Sequence, residues 1–156
     1  MEGLHLTLRF LGPTAEERLT SLEEVVRDVA ARERSFEIMI GGAGAFPSVA
    51  RPRALWLGVT SGADQLRQLA AGLDELLTRS GWPSDERPFR AHLTLARADG
   101  VRAGPAAARR LIAAAEGFSA AWKADRLVLF ESHTGGGAAR YESLAEGRLE
   151  EPAGLR

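Results

Sequence analysis

Two of the three histidines in this 156-residue chain stand in the same four-residue word: His5-Leu6-Thr7-Leu8 and His92-Leu93-Thr94-Leu95. On a β-strand successive side chains alternate between faces. His5 and Thr7 then share one face, with Leu6 and Leu8 on the other; His92 and Thr94 share a face above Leu93 and Leu95. An imidazole with an ordinary pKa of about 6.5 serves near neutrality as a neutral base or a protonated acid, so a pair can supply both at once. Each role contributes roughly 10²- to 10⁴-fold to a rate. A threonine hydroxyl two residues on, carried by a stiff β-branched side chain, is placed to donate to an oxygen of the group under attack. A phosphodiester suits this set best, because it offers two non-bridging oxygens to be held and two bridging positions where protons enter and leave. Such chemistry needs no metal. A zinc site on His5 and His92 is poorer, since neither motif strand offers another ligand.

The rest of the composition narrows the setting. Hydrophobic residues make up 45% and charged residues 26% of the chain, as in a water-soluble domain, and no apolar run approaches the roughly 20 residues of a membrane span. The first residues show no secretory signal, which makes a cytoplasmic location the default expectation. Cysteine is absent, which removes disulfides and thiolate chemistry. A formal charge of −1 argues against a broad cationic surface for long nucleic acid, while a local basic pocket stays open. All basic residues but Lys123 are arginine, a fork-shaped phosphate donor. The abundance of Ala and Gly makes GC-rich codon usage the simpler explanation.

Hydrophobic spacing supplies the elements that must position the motifs. Residues 4–11 read as a strand. Thr14 and Glu17 form a capping box ahead of a helix over 15–32, whose apolar positions are Leu19, Leu22, Val25, Val26 and Val29. Strands follow at 35–46 and 54–60. A second helix spans 63–79 with Leu66, Leu69, Leu73, Leu76 and Leu77 on one stripe. A strand at 89–97, a helix at 105–116, a long strand at 118–132, a glycine turn at 135–137 and a strand at 139–149 complete the chain. Laying His5 on His92 superposes two strand–helix–strand–strand runs, 4–59 and 91–145. The expectation is a single α+β domain over 1–156: two pseudo-symmetric lobes of antiparallel sheet with outer helices around a central cleft. The strand and helix that precede His92 have no counterpart ahead of His5. The first lobe therefore reads as lacking its leading strand and helix, or as continuing upstream of Met1.

The paired His-x-Thr words, "HLTLRFLG", "FPSVARPRALWLGV", "RPFRAHLTLAR" and "RLVLFESHTGGGAARYESLAEGRL" together resemble the two-histidine phosphoesterase superfamily, and within it the RNA 2′,3′-cyclic phosphodiesterases, also called 2′-5′ RNA ligases. The resemblance covers essentially the whole chain. It implies a bilobal fold with a central cleft, no cofactor and no metal. It also implies hydrolysis of 2′,3′-cyclic phosphate ends to 2′-phosphates, with reversible 2′-5′ ligation. Carried onto this sequence, His5 and His92 would be the acid/base pair, and Thr7 and Thr94 would hold the phosphate. Five residues past each histidine, Phe10 would stack on a base and Arg97 would assist with phosphate or cleft binding.

Strict alternation places both of these last positions on the face opposite their histidine, so each strand must twist or end before it reaches them. Arg9 has the right parity and is the rival. Phe10 has an equal alternative as a core aromatic, and Phe46 reads as packing. His133 reads as a surface or turn residue, because Thr134 follows it directly. The implied partners are RNA termini or small cyclic nucleotides, with no membrane, on a monomer. Two rivals remain: a phosphodiesterase for another small cyclic phosphodiester, and an RNA-end-binding module inactivated by its short N-terminus.

Overall fold

The periodic segments become helices and the β-branched runs become strands in a computed structural model that describes residues 4–97, 104–133 and 140–151. Helix α1, Leu19–Ala30, buries Leu22, Val25, Val26, Val29 and Ala30, and α2, Ala63–Arg79, buries Leu66, Leu69 and Leu77. Both follow the three- and four-residue steps of an amphipathic helix. The shorter α3, Gly104–Ala114, buries Ala108. The strands are β1 (Phe36–Phe46), β2 (Ala54–Ser61), β3 (His92–Arg97), β4 (Ser119–Ala124), β5 (Arg126–His133) and β6 (Arg140–Arg148). They form a four-stranded sheet in the order β3-β2-β1-β4 and a β5-β6 hairpin. The β1-β2, β2-β3 and β5-β6 pairings are antiparallel, so the chain is α+β with antiparallel sheet.

Four local expectations change. Residues 4–12 carry no strand, because a strand exists only where a neighbour pairs with its backbone. The capping box does not form: the Thr14 hydroxyl donates to the Gly12 carbonyl instead, and a 3-10 turn at Glu16–Arg18 leads into α1. The strand expected at 89–97 begins only at His92. The long strand expected at 118–132 breaks at Asp125. Its first part, β4, lies beside β1, whereas the Asp125 carbonyl accepts from the Leu149 amide beyond β6, committing the second part to the hairpin. The glycine turn at 135–137 lies outside the described residues.

Two compact units emerge, each assembled from separate stretches of chain. Unit 1 takes residues up to Thr7, Glu37–Ala63 and Arg90–Trp122, and so holds most of the four-stranded sheet and α3. Among the described residues, Ile38, Ile40, Ala45, Leu57, Leu93, Ala108 and Ala115 are its buried apolar residues. Unit 2 takes Leu8–Phe36, Asp64–Phe89 and the residues from Lys123 onward. Its core joins Leu22, Val25, Val26 and Val29 of α1 to Leu69 and Leu77 of α2, Leu127 and Leu129 of β5, and Trp82. Helix α1 crosses β6 at Gly147, where an added Cβ would stand 2.8 Å from both the Ala30 Cβ and the Val26 carbonyl. Only glycine permits that approach. Arg18 closes unit 2 at one end, its guanidinium 3.3 Å from the centroid of the Trp82 ring and its Nη2 donating to the Ser80 carbonyl.

Candidate active site

The second His-Leu-Thr-Leu word forms β3, and its pairing with β2 decides where each side chain points. Gly58 opposes His92, Leu57 opposes Leu93, and Trp56 opposes Thr94. Directly opposed residues of an antiparallel pair lie on the same face of the sheet. Past Thr94 the register shifts: Leu55 opposes Ala96 and Ala54 opposes Arg97. Leu95 therefore has no partner of its own. It is a one-residue bulge, and it inverts the alternation for everything beyond it. Ala54, Trp56 and Gly58 alternate regularly along β2, so their partners Arg97, Thr94 and His92 share one face. The bulge thus answers the parity objection to Arg97. It also corrects Leu95, expected beneath the sheet beside Leu93: Leu93 is 5% exposed and Leu95 is 38% exposed.

The same face continues onto β1, where Gly44 opposes Trp56 and Phe46 opposes Ala54. Small residues line this floor, with two aromatic rings rising from it. The Phe46 ring meets the His92 imidazole edge-on, at 5.0 Å between centroids and 84° between planes. Trp56 lies 5.1 Å from Phe46 and 6.4 Å from His92. Phe46 is packing, as its apolar surroundings imply, but what it packs against is His92. Arg90 adds a backbone contact: its carbonyl oxygen lies 2.6 Å from His92 Nδ1. A carbonyl can only accept, so Nδ1 carries the proton, and the neutral ring presents Nε2 as its basic nitrogen. Sequence reasoning gave neither aromatic a role at the site. The signal was the two-residue spacing of Gly44 and Phe46 and of Ala54 and Trp56, which acquires meaning only once the register is known.

The first word is held by other means. His5 and Thr7 belong to unit 1 with His92 and Thr94, and both are half-buried. Immediately after them the chain enters unit 2, where Leu8 and Leu11 pack on its core. The Arg9 side chain, 9% exposed, pairs with Asp74 at 3.3 Å and Asp85 at 3.2 Å and donates to the Pro83 carbonyl. Asp74 in turn accepts from the Ser84 hydroxyl and the Asp85 amide. Arg9 is thereby committed to the fold and withdrawn as a rival phosphate ligand. Phe10 belongs to unit 2 and is 61% exposed, so it is not a core aromatic. Arg97, at the end of β3, is exposed.

His133 lies in a strand rather than a turn. It ends β5, exposed, with Nε2 3.8 Å from Glu131 and 3.4 Å from Glu142. Those three residues are also a grouping of metal-type ligands among the described residues, all of them exposed. His5 and His92 are not part of it.

Comparison with known proteins places this arrangement. The family model of the 2′-5′ RNA ligase superfamily matches residues 2–136. An Aeropyrum pernix protein named RNA 2′,3′-cyclic phosphodiesterase is 38% identical over 110 residues, covering 70% of this chain and 61% of its own length. An Archaeoglobus fulgidus protein of the same name is 41% identical, over 62% of this chain and 52% of its own. The chain therefore spans between half and two thirds of these relatives. The Escherichia coli protein of that name is 30% identical, over 92% of this chain and 74% of its own. Among solved structures, a Thermus thermophilus protein superposes with a TM-score of 0.75 at 25% identity, over 96% of this chain and 80% of the other. Escherichia coli LigT complexed with 3′-AMP gives 0.69 at 29% identity, over 95% and 78%. With its sequence and its fold in agreement, the chain belongs to the 2′-5′ RNA ligase superfamily, the two-histidine phosphoesterase family to which its paired His-x-Thr words point.

Proposed function

We propose that this protein is a metal-independent phosphodiesterase that opens 2′,3′-cyclic phosphate ends of RNA to 2′-phosphates. His5 and His92 form its acid/base pair. The observation that carries the reading is the β3 face: an imidazole with Nδ1 tied to the Arg90 carbonyl, a threonine hydroxyl and, through the Leu95 bulge, a guanidinium. In the reaction one histidine takes a proton from water as its oxygen bonds to phosphorus. The P–O3′ bond breaks, and the other histidine, protonated, delivers its proton to the departing 3′-oxygen. Thr7 and Thr94 donate to the non-bridging oxygens, where charge builds up in the transition state. Arg97 adds a charge-assisted donor for phosphate, and exposed Phe10 offers a stacking surface for a base. Run in the same direction with a 5′-hydroxyl of RNA in place of water, these steps join ends through a 2′-5′ linkage, and run backwards they cleave that linkage and re-form the cyclic phosphate. The 4–59 and 91–145 runs are then two copies of one catalytic half within a single domain.

The relatives named RNA 2′,3′-cyclic phosphodiesterase and the 3′-AMP complex of LigT support an RNA end as substrate. A monomer suffices for the mechanism, since one chain carries both His-x-Thr words. No described helix is long and apolar enough to cross a membrane. The setting proposed for the reaction is the cytoplasm. The test is an assay on oligoribonucleotides ending in 2′,3′-cyclic phosphate, with excess EDTA and with products resolved by position of the phosphate. The expected outcome is a 2′-phosphate formed at a rate EDTA leaves unchanged. A 3′-phosphate product, or turnover that EDTA abolishes, overturns the mechanism.

A further inference from the structure

We propose that Trp56, seated in the slot left by Gly44, acts with Phe46 as a positioning residue that fixes the rotamer and tautomer of His92. The inference rests on the reading of His92 as a catalytic acid/base. Gly44 lies directly opposite Trp56 in the β1-β2 ladder. A Cβ there would fall within the indole, 2.5 Å from Cη2 and 2.8 Å from Cε2. Real Cβ atoms never approach that closely, so any side chain at residue 44 expels the ring. The backbone at Gly44 does not adopt positive φ, which removes conformation as the reason for glycine and leaves space as the reason.

Once seated, the indole backs Phe46 at 5.1 Å and flanks His92 at 6.4 Å, while Phe46 holds the imidazole edge-on at 5.0 Å. The aromatic pair therefore bounds the ring on one side, and the Arg90 carbonyl fixes its Nδ1. An imidazole confined this way keeps Nε2 as its reactive nitrogen and has no second rotamer to lose on reaching the transition state. Trp56 Nε1 is buried with no partner among the described residues.

The experiment combines Gly44→Ala, Trp56→Phe, the double variant and Phe46→Leu. Each is read by ¹⁵N NMR of the His92 side chain and by kcat and KM on a 2′,3′-cyclic nucleotide. Wild type is expected to show a single tautomer with the proton on Nδ1. Gly44→Ala should convert it to a tautomer mixture and lower kcat by about 10²-fold with KM nearly unchanged, the scale of a misplacement of about 1 Å. The double variant should recover both signals, because the shorter phenyl ring vacates the space the new methyl needs. Phe46→Leu should loosen the tautomer as Gly44→Ala does, and it carries the test should Gly44→Ala not fold.

A folded Gly44→Ala that keeps the wild-type tautomer and kcat, or a double variant that recovers neither, overturns the proposal. The NMR signals do not depend on turnover. If wild type cleaves no cyclic phosphate yet the tautomer follows this series, the proposed activity fails and the positioning role stands.

Discussion

His92, the first residue of β3, and Arg90, two residues before it, are joined by an Nδ1 to carbonyl-oxygen hydrogen bond of 2.6 Å. The bond defines the tautomer of the neutral ring, and with it the nitrogen through which protons pass. A two-histidine mechanism needs one ring neutral and one protonated, so kcat/KM should trace a bell against pH. It should fall on the acid side as the base becomes protonated and on the alkaline side as the acid loses its proton. Replacing either His5 or His92 by alanine should lower kcat by about 10³-fold or more, and the surviving rate should lose one limb of the bell. Stopped-time assays across pH 4 to 10 check both, and undiminished turnover in either variant would falsify the acid/base assignment.

The Leu95 bulge makes a second outcome testable. Arg97→Ala should raise KM for the cyclic phosphate by about tenfold through loss of a charge-assisted contact. Inserting one residue between Leu55 and Trp56 gives Leu95 a partner, restores plain alternation and turns residue 97 to the face opposite His92. The KM of this insertion variant should rise by a similar factor, and adding Arg97→Ala to the insertion should then change nothing further. Independent, multiplying effects would show that the bulge does not aim Arg97.

Arg9 gives a prediction about stability. Arg9→Met leaves Asp74 and Asp85 facing each other without their shared cation. Both carboxylates keep some water contact, so the loss should be about 2 kcal/mol, below the figure for a fully buried pair. Urea unfolding measures it. Asp74→Asn with Asp85→Asn in the Arg9→Met background should recover part of the loss.

Gly147→Ala should destabilise unit 2 by about 1–3 kcal/mol, because the new methyl meets the Ala30 Cβ and the Val26 carbonyl at 2.8 Å. Thermal unfolding reads this out. A neutral result would mean that α1 slides over β6 freely.

The Arg126 guanidinium, hydrogen-bonded to Asp125, holds that carboxyl below its ordinary value of 3.8. Because the folded pKa is the lower one, the pair stabilises the fold above about pH 4. The contribution disappears as pH falls through the lowered value. Asp125→Asn should therefore flatten the acid limb of a Tm profile below about pH 4 while leaving the profile near neutrality almost unchanged. An acid limb as steep as wild type would remove the pair from acid stability.

Much of this protein is legible in one dimension. The leucine and valine spacing over 19–30 and 63–79 is a property of the helix period, so α1 and α2 follow from sequence alone. The two His-x-Thr words do as well, since a repeat is visible without coordinates. Within β3 the two-residue period also fixes His92 and Thr94 on one face and Leu93 on the other, because side-chain direction along a strand is local.

What lay beyond the sequence depends on partners far along the chain. Arg9 looked free to bind phosphate until the fold brought it Asp74, Asp85 and Pro83, the last 74 residues away. The stretch 118–132 looked continuous until Asp125 was bound by the Leu149 amide. Arg97 looked misdirected until β2 was found to skip Leu95. The sequence determined which groups can do chemistry and, for His92 and Thr94, the strand on which they lie. The tertiary structure decided which way they face, because register is a count kept between two strands and neither strand carries it by itself.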